Sequence, residues 1–390
     1  MAAPNKNTGK DLVLSAFEQQ KVTADNSFTL KLFKNLDSAN TSGTNLFVSP
    51  LSVSFALGMT SNGSAGQTLA AFQNTLGFNG LSQEQVNTYY NNLITNLPQL
   101  DPNTTLDIAN SIWYKNSFSV LSQFLQTDST YFHAKIAALD FTGPAALTTI
   151  NNWVSDNTGG NIPAILNSIP SDAVMYLVNA IYFKSSWKEG FNPSNTQPQA
   201  FYLPDNSQVQ ANFMSANIDY NYYNDNGTGI YELPYSNSKF SMVIIEPPTG
   251  TSVNTVIAAL DPAKWQTWIS SLTAVKNTIT LPKFKFSYST SVKNPLIELG
   301  MGNAFSDGAN FSLINASQPL KISDVQHKAF VETDETGTTA AAATSVGIVA
   351  LAIQASPPPI NRPFMFVIRQ MSSGVILFAG VVNNPLLTGE

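Results

Sequence analysis

The chain has 390 residues, enough to bury a large core. Only 11% of them are Asp, Glu, Lys or Arg, against roughly 25% in an average soluble protein, so Asn, Ser, Thr and Gln supply the polar surface. The net charge of −6 argues against a nucleic-acid partner, and the absence of cysteine excludes disulfides, thiol catalysis and zinc–thiolate sites.

The first ten residues are polar and expected to be loose. Val13, Phe17, Val22, Phe28, Leu30, Leu32, Phe33 and Leu36 then fall near helical spacing, as one long helix or two with a break near residues 23–26. From Asn45 to Met59, Ser49-Pro50 is a helix-start signal opening an apolar helix. Leu106 to Tyr114 alternates apolar and polar residues as a strand does. A helix from near Ala145 would carry Ile150, Trp153 and Val154 on one face and stop at Gly159-Gly160. Val174 to Phe183 is nearly all apolar, the pattern of a strand covered on both faces, and its Asn179 must find hydrogen-bond partners there. Short strands with turn signals follow, at Phe201 to Asn206, Ile230 to Tyr235 and Phe240 to Pro248.

The stretch from Asp334 to Ile353 starts acidic, becomes a run of small residues, turns apolar and is stopped by Pro357-Pro358-Pro359. Its alanines favour helix, yet no polar face recurs at helical spacing. At the period of a strand, one alternate set is Thr338, Ala340, Ala342, Thr344, Val346 and Ile348, small at first and then apolar. Such a chain can lie in a sheet with that set inward, or wait outside as a loop.

An acidic pair, then Gly337-Thr338, then an alanine run ending in Thr344 resembles the hinge of a serpin reactive loop. His327-Lys328-Ala329-Phe330-Val331 matches the family's approach to that hinge, and Asn361-Arg362-Pro363-Phe364-Met365-Phe366 matches the strand after the loop. Asn45 to Met59 followed by Gly63 to Thr68, Trp153-Val154 with Thr158-x-Gly160-x-Ile162, and Ile376 to Pro385 fit in the same order. The resemblance implies an α+β serpin fold with three β-sheets, eight to nine helices and an exposed reactive-centre loop at about residues 337–357. It assigns residues 25–390 to one domain, with 1–24 as a flexible N-terminal segment.

The resemblance also assigns roles. Glu335, Gly337, Thr338, Ala340, Ala342 and Thr344 form the hinge; Ser49 and Ser52 lie in the shutter under the central sheet; Asn179 bonds there to His327; and Trp187 stands at the breach, where insertion begins. The implied function is suicide inhibition of serine proteases, with cysteine proteases as a second class. The loop is cut, an acyl-enzyme forms, and the freed segment inserts as a new strand. Thr338, Ala340, Ala342 and Thr344, the first side chains of the inward set, are small and uncharged, so no buried charge, at a cost of several kcal/mol, opposes entry. Thr339 stands where many inhibitory members have Glu.

Counting from Gly337 puts the scissile bond at Leu351-Ala352, and counting back from Asn361 puts it at Ala352-Ile353; Val349 and Ile353 are secondary cut sites. No Lys or Arg lies between Lys328 and Arg362. A trypsin-like pocket would leave its carboxylate unpaired, so elastase-, chymotrypsin- or subtilisin-like targets are expected. The alternative is a non-inhibitory serpin, a cleavable substrate or ligand carrier. With two histidines, no nucleophile elbow, no metalloprotease motif and no phosphate loop, the chain is not read as an enzyme, and no cofactor or metal is expected.

No Lys, Arg or His occurs between Lys34 and Lys115. The helix with which some serpins bind heparin would be neutral here, so no heparin binding is expected. Val346 to Ile353, the longest apolar stretch, is too short to span a bilayer, and no membrane partner is expected. A secreted or extracytoplasmic monomer is expected, its export signal absent from or already removed from this sequence, with polymers forming on heating.

Overall fold

The computed structural model describes residues 10–338 and 357–389. Helix α1 (Ala16–Ala39) runs unbroken through residues 23–26 and begins inside the segment expected to be loose. Glu18 reaches back to accept the Ser15 backbone N–H at 2.7 Å, closing the first turn. Strand β1 (Leu46–Val48) leads into α2 (Pro50–Ser61), where Pro50 fills the first-turn position that needs no N–H and Ser49 Oγ accepts from Ser52 N–H at 3.1 Å. Then come α3 (Gly66–Leu76), α4 (Gln83–Asn96), β2 (Thr105–Lys115), α5 (Ser122–Phe132), β3 (Lys135–Leu139), α6 (Pro144–Asp156) and β4 (Met175–Ser186).

The second half supplies β5 (Gln197–Tyr202), β6 (Gln208–Asp225), β7 (Thr228–Pro234), β8 (Phe240–Glu246), α7 (Val253–Ala259), α8 (Pro262–Ser271), β9 (Thr273–Pro282), β10 (Phe284–Ser291) and α9 (Lys293–Leu296). It closes with β11 (Gln326–Thr333), β12 (Gly337–Thr338), β13 (Phe364–Gln370) and β14 (Ile376–Val382).

The fold is mixed α+β, with nine α-helices among the described residues. Hydrogen bonding joins their strands into an eight-stranded and a six-stranded sheet. In the larger one the 18 residues of β6 pair with β5 at one end, β7 at the other and β9 between, so two of the three serpin sheets run into one another through this shared strand. The order in the eight-stranded sheet is β1-β14-β13-β8-β7-β6-β5, with β9 on β6; in the six-stranded sheet it is β10-β11-β12-β4-β2-β3.

Phenylalanines fill the space between the sheets. Phe47 stacks on Phe378 at 5.0 Å and on Phe366 at 5.6 Å, and Phe284 meets Phe366 at 5.2 Å. On the other face of the six-stranded sheet, Ile150, Trp153 and Val154 of α6 pack over Trp113, Val178 and Ala180. This two-sided cover is why β4 reads as continuously apolar.

Candidate functional site

At the top of the six-stranded sheet the chain leaves β11, turns and re-enters as β12. Asp334 organises the turn: its Oδ1 accepts from Thr336 N–H at 2.9 Å and Thr336 Oγ at 2.7 Å, while its own N–H donates to Gly337 O at 3.0 Å. Gly337 and Thr338 then pair with Ser186 and Ser185 of β4, and Thr338 with Thr333 of β11. A Cβ on Gly337 would stand 2.1 Å from Ser185 O, so only glycine fits this approach. The hinge was expected as exposed chain from Gly337 onward. Instead its first two residues belong to the sheet, and Glu335 is only 8% exposed.

Three anchors hold the turn. Trp187, buried just beyond β4, donates its backbone N–H to Thr336 O at 2.8 Å and its indole N–H to Asp334 O at 2.9 Å. Its ring stacks on Tyr235 at 4.7 Å with planes 7° apart. Glu335 accepts from Lys283 Nζ and from Thr196 Oγ, both at 2.7 Å. Burial alone would raise its carboxyl pKa, but these two bonds hold it below the usual value. Thr338 Oγ lies 2.6 Å from Tyr235 Oη, so Thr338 itself points inward; the rest of its alternate set lies outside the described residues.

Halfway down the sheet lies the second cluster. His327 of β11 is fully enclosed, and its Nε2 accepts the Ser49 backbone N–H at 3.0 Å, so the neutral ring carries its proton on Nδ1. Desolvation lowers its pKa to about 4. Ser49 Oγ donates to Leu377 O at 2.7 Å, tying the start of α2 to β14. The structure thus brings Ser49, Ser52 and His327 together.

It does not bond Asn179 to His327. Asn179 donates instead to Asn110 Oδ1 at 2.8 Å and Ala109 O at 3.3 Å on β2, and its Oδ1 is buried without a partner. No ladder among the described residues joins β4 directly to β11, and Asn179 satisfies its amide N–H on β2 instead.

Tyr235, Lys283, Thr196 and Asn110 were not assigned from sequence. Tyr235 and Asn110 lie in stretches whose pattern already reads as strand, but their partners are 103 residues away for Tyr235 and 69 for Asn110. Ala340, Ala342, Thr344, Val349, Leu351, Ala352 and Ile353 lie outside the described residues. Helix α4 carries Glu84 and no basic residue.

A family model described as Serpin (serine protease inhibitor) matches residues 23–385. Iripin-2 of Ixodes ricinus is 35% identical over 378 residues, 94% of each chain. Leukocyte elastase inhibitor of Bos taurus is 32% identical, over 94% of this chain and all of that one. Among solved structures, the thermophilic serpin tengpin in its native state superposes with a TM-score of 0.85 at 33% identity, covering 96% of both chains. A central sheet with a hinge seated at its top, matched over nearly its whole length by these proteins, places the chain in the serpin family.

Proposed function

We propose that this serpin is a suicide inhibitor of serine proteases whose pockets take apolar or small side chains. The loop is cut, the protease becomes esterified to the new C-terminus, and the freed segment enters between β4 and β11 before water hydrolyses the ester. The observation that carries this reading is β12, a two-residue strand already paired on both sides, below which no ladder among the described residues closes the sheet.

Register supports it. Thr338 lies level with Thr333 and Ser185, and β12 runs antiparallel to both neighbours. A strand continued from it would set Ala340 level with Val331 and Phe183, Ala342 with Ala329 and Ile181, and Thr344 with His327 and Asn179. All six flanking side chains are buried, so small residues at these positions enter with least displacement. Asn179 Oδ1 and Thr333 Oγ are buried and unpaired along this path. Each such atom costs about 1–3 kcal/mol, which an incoming donor would relieve.

Target choice rests on the sequence from residue 329 to 361, which offers no basic side chain to a trypsin-like pocket. Leu351 is the residue we assign to the protease pocket, with cleavage before Ala352. The protein should be mixed with elastase, chymotrypsin, subtilisin and trypsin, run on denaturing gels, and the released C-terminal peptide weighed. A covalent complex with one of the first three, and a peptide beginning at Ala352, is expected. Clean cleavage without complex would make the protein a substrate, and a complex with trypsin would overturn the specificity.

A further inference from the structure

Away from hinge and shutter, the end of α2, the start of α4 and the last turn of α5 meet around one side chain. Asn62, which caps α2, donates its Nδ2–H to Asp128 Oδ1 at 2.7 Å. Its Oδ1 accepts from Gln83 Nε2 at 2.9 Å and Asn87 Nδ2 at 3.0 Å, and Gln83 also donates to Ser61 Oγ at 2.8 Å. What remains is three oxygens, Gln83 Oε1, Asn87 Oδ1 and Asp128 Oδ2, all buried and none with a partner. Asp128 is 0% exposed and Asn87 3%.

The unmet charge has no basic neighbour. Helix α5 contains no Lys, Arg or His, residues 35–114 contain none, and among the described residues no ion pair reaches Asp128. Burial pushes its carboxyl well up, and the bond from Asn62 opposes that shift.

We propose that Asn62, Gln83, Asn87 and Asp128 build a seat for one alkali-metal cation, Na+ or K+, held by the three free oxygens. Every unmatched atom here is an acceptor. A proton on Asp128 would leave two amide oxygens competing for one hydrogen, and a water would leave the carboxylate charge unanswered. A cation satisfies the oxygens and the charge together. One carboxylate among neutral oxygens balances a single positive charge, whereas calcium takes six to eight oxygens and usually several carboxylates. The carbonyl end of α2 adds partial negative charge on the same side. The site would brace α4 and α5 against the helix whose first turn carries Ser49 of the shutter.

The test is thermal unfolding of the intact protein at neutral pH in NaCl, KCl or tetramethylammonium chloride at equal ionic strength, the last ion being too large for the seat. A midpoint higher by about 2 °C or more in an alkali salt is expected. Asp128→Asn should abolish the difference between salts, and Gln83→Met, which keeps the charge but removes one oxygen, should narrow it. Equal midpoints in all three salts would mean that a proton or water fills the place and would overturn the proposal. So would a salt difference that persists undiminished in either variant.

Discussion

His327 is the residue whose chemistry ties the start of α2 to pH. Its Nε2 can accept the Ser49 N–H only while the ring is neutral. The folded value of about 4 lies below the 6.5 of the unfolded chain, so between those values the native state binds fewer protons. The stability this neutral ring confers is complete above pH 6.5 and is lost as pH falls toward 4, with about 2 kcal/mol gone by pH 5. Denaturant midpoints should therefore fall from pH 7 to pH 5, and fall less in His327→Gln. Identical pH profiles for parent and variant would remove His327 as the cause.

Gly337 and Glu335 decide whether the two-residue strand stays seated. Gly337→Ala places a methyl group 2.1 Å from a backbone carbonyl that cannot step aside, so β12 should leave the sheet. Insertion after cleavage would then start from an unseated hinge, and we expect a larger share of the protein to be cut without trapping protease. Densitometry of cleaved against complexed bands checks this, and an unchanged ratio would show that the seat does not set the race. Lys283→Met removes the cation from Glu335; because Lys283 is 37% exposed, the loss should be modest, about 0.5–1 kcal/mol. Even so, it loosens the turn that seats β12 between β4 and β11, and size-exclusion chromatography after mild heating should show oligomers earlier than in the parent. Equal monomer fractions over the same heating would count against that.

Much of this element scale was legible in the sequence. The Ser49-Pro50 start and the apolar β4 follow from local chemistry and period, and both stand as read; of the alternate set beginning at Thr338, only Thr338 is described, and it is buried. What the sequence hid were partners distant along the chain. Asn179 has the right groups to bond His327, yet it turns to Asn110 on β2 instead. Nor could any local pattern reveal that Lys283 and Thr196 converge on Glu335.

At the scale of the molecule, the eight-stranded sheet and its phenylalanine column form a fixed base, whose strands pair along their lengths. The six-stranded sheet is different, because β4 and β11 are joined among the described residues only through Gly337 and Thr338. Asn179 Oδ1 on β4 and Thr333 Oγ on β11 are buried without hydrogen-bond partners. A sheet so divided should gain stability when a complete strand fills it, and that gain is what the proposed trap would draw on. That β6 is long enough to join two of the sheets was not legible in the sequence, because strand length is among the features least fixed by local pattern.

The most direct test of this account is the thermal midpoint of the intact protein against the same protein cut once within residues 349–353. Cleavage of an ordinary loop leaves the midpoint unchanged or lowers it. Insertion between β4 and β11 should raise it far above that of the intact protein, and a midpoint that stays level or falls after the cut would contradict the proposed mechanism.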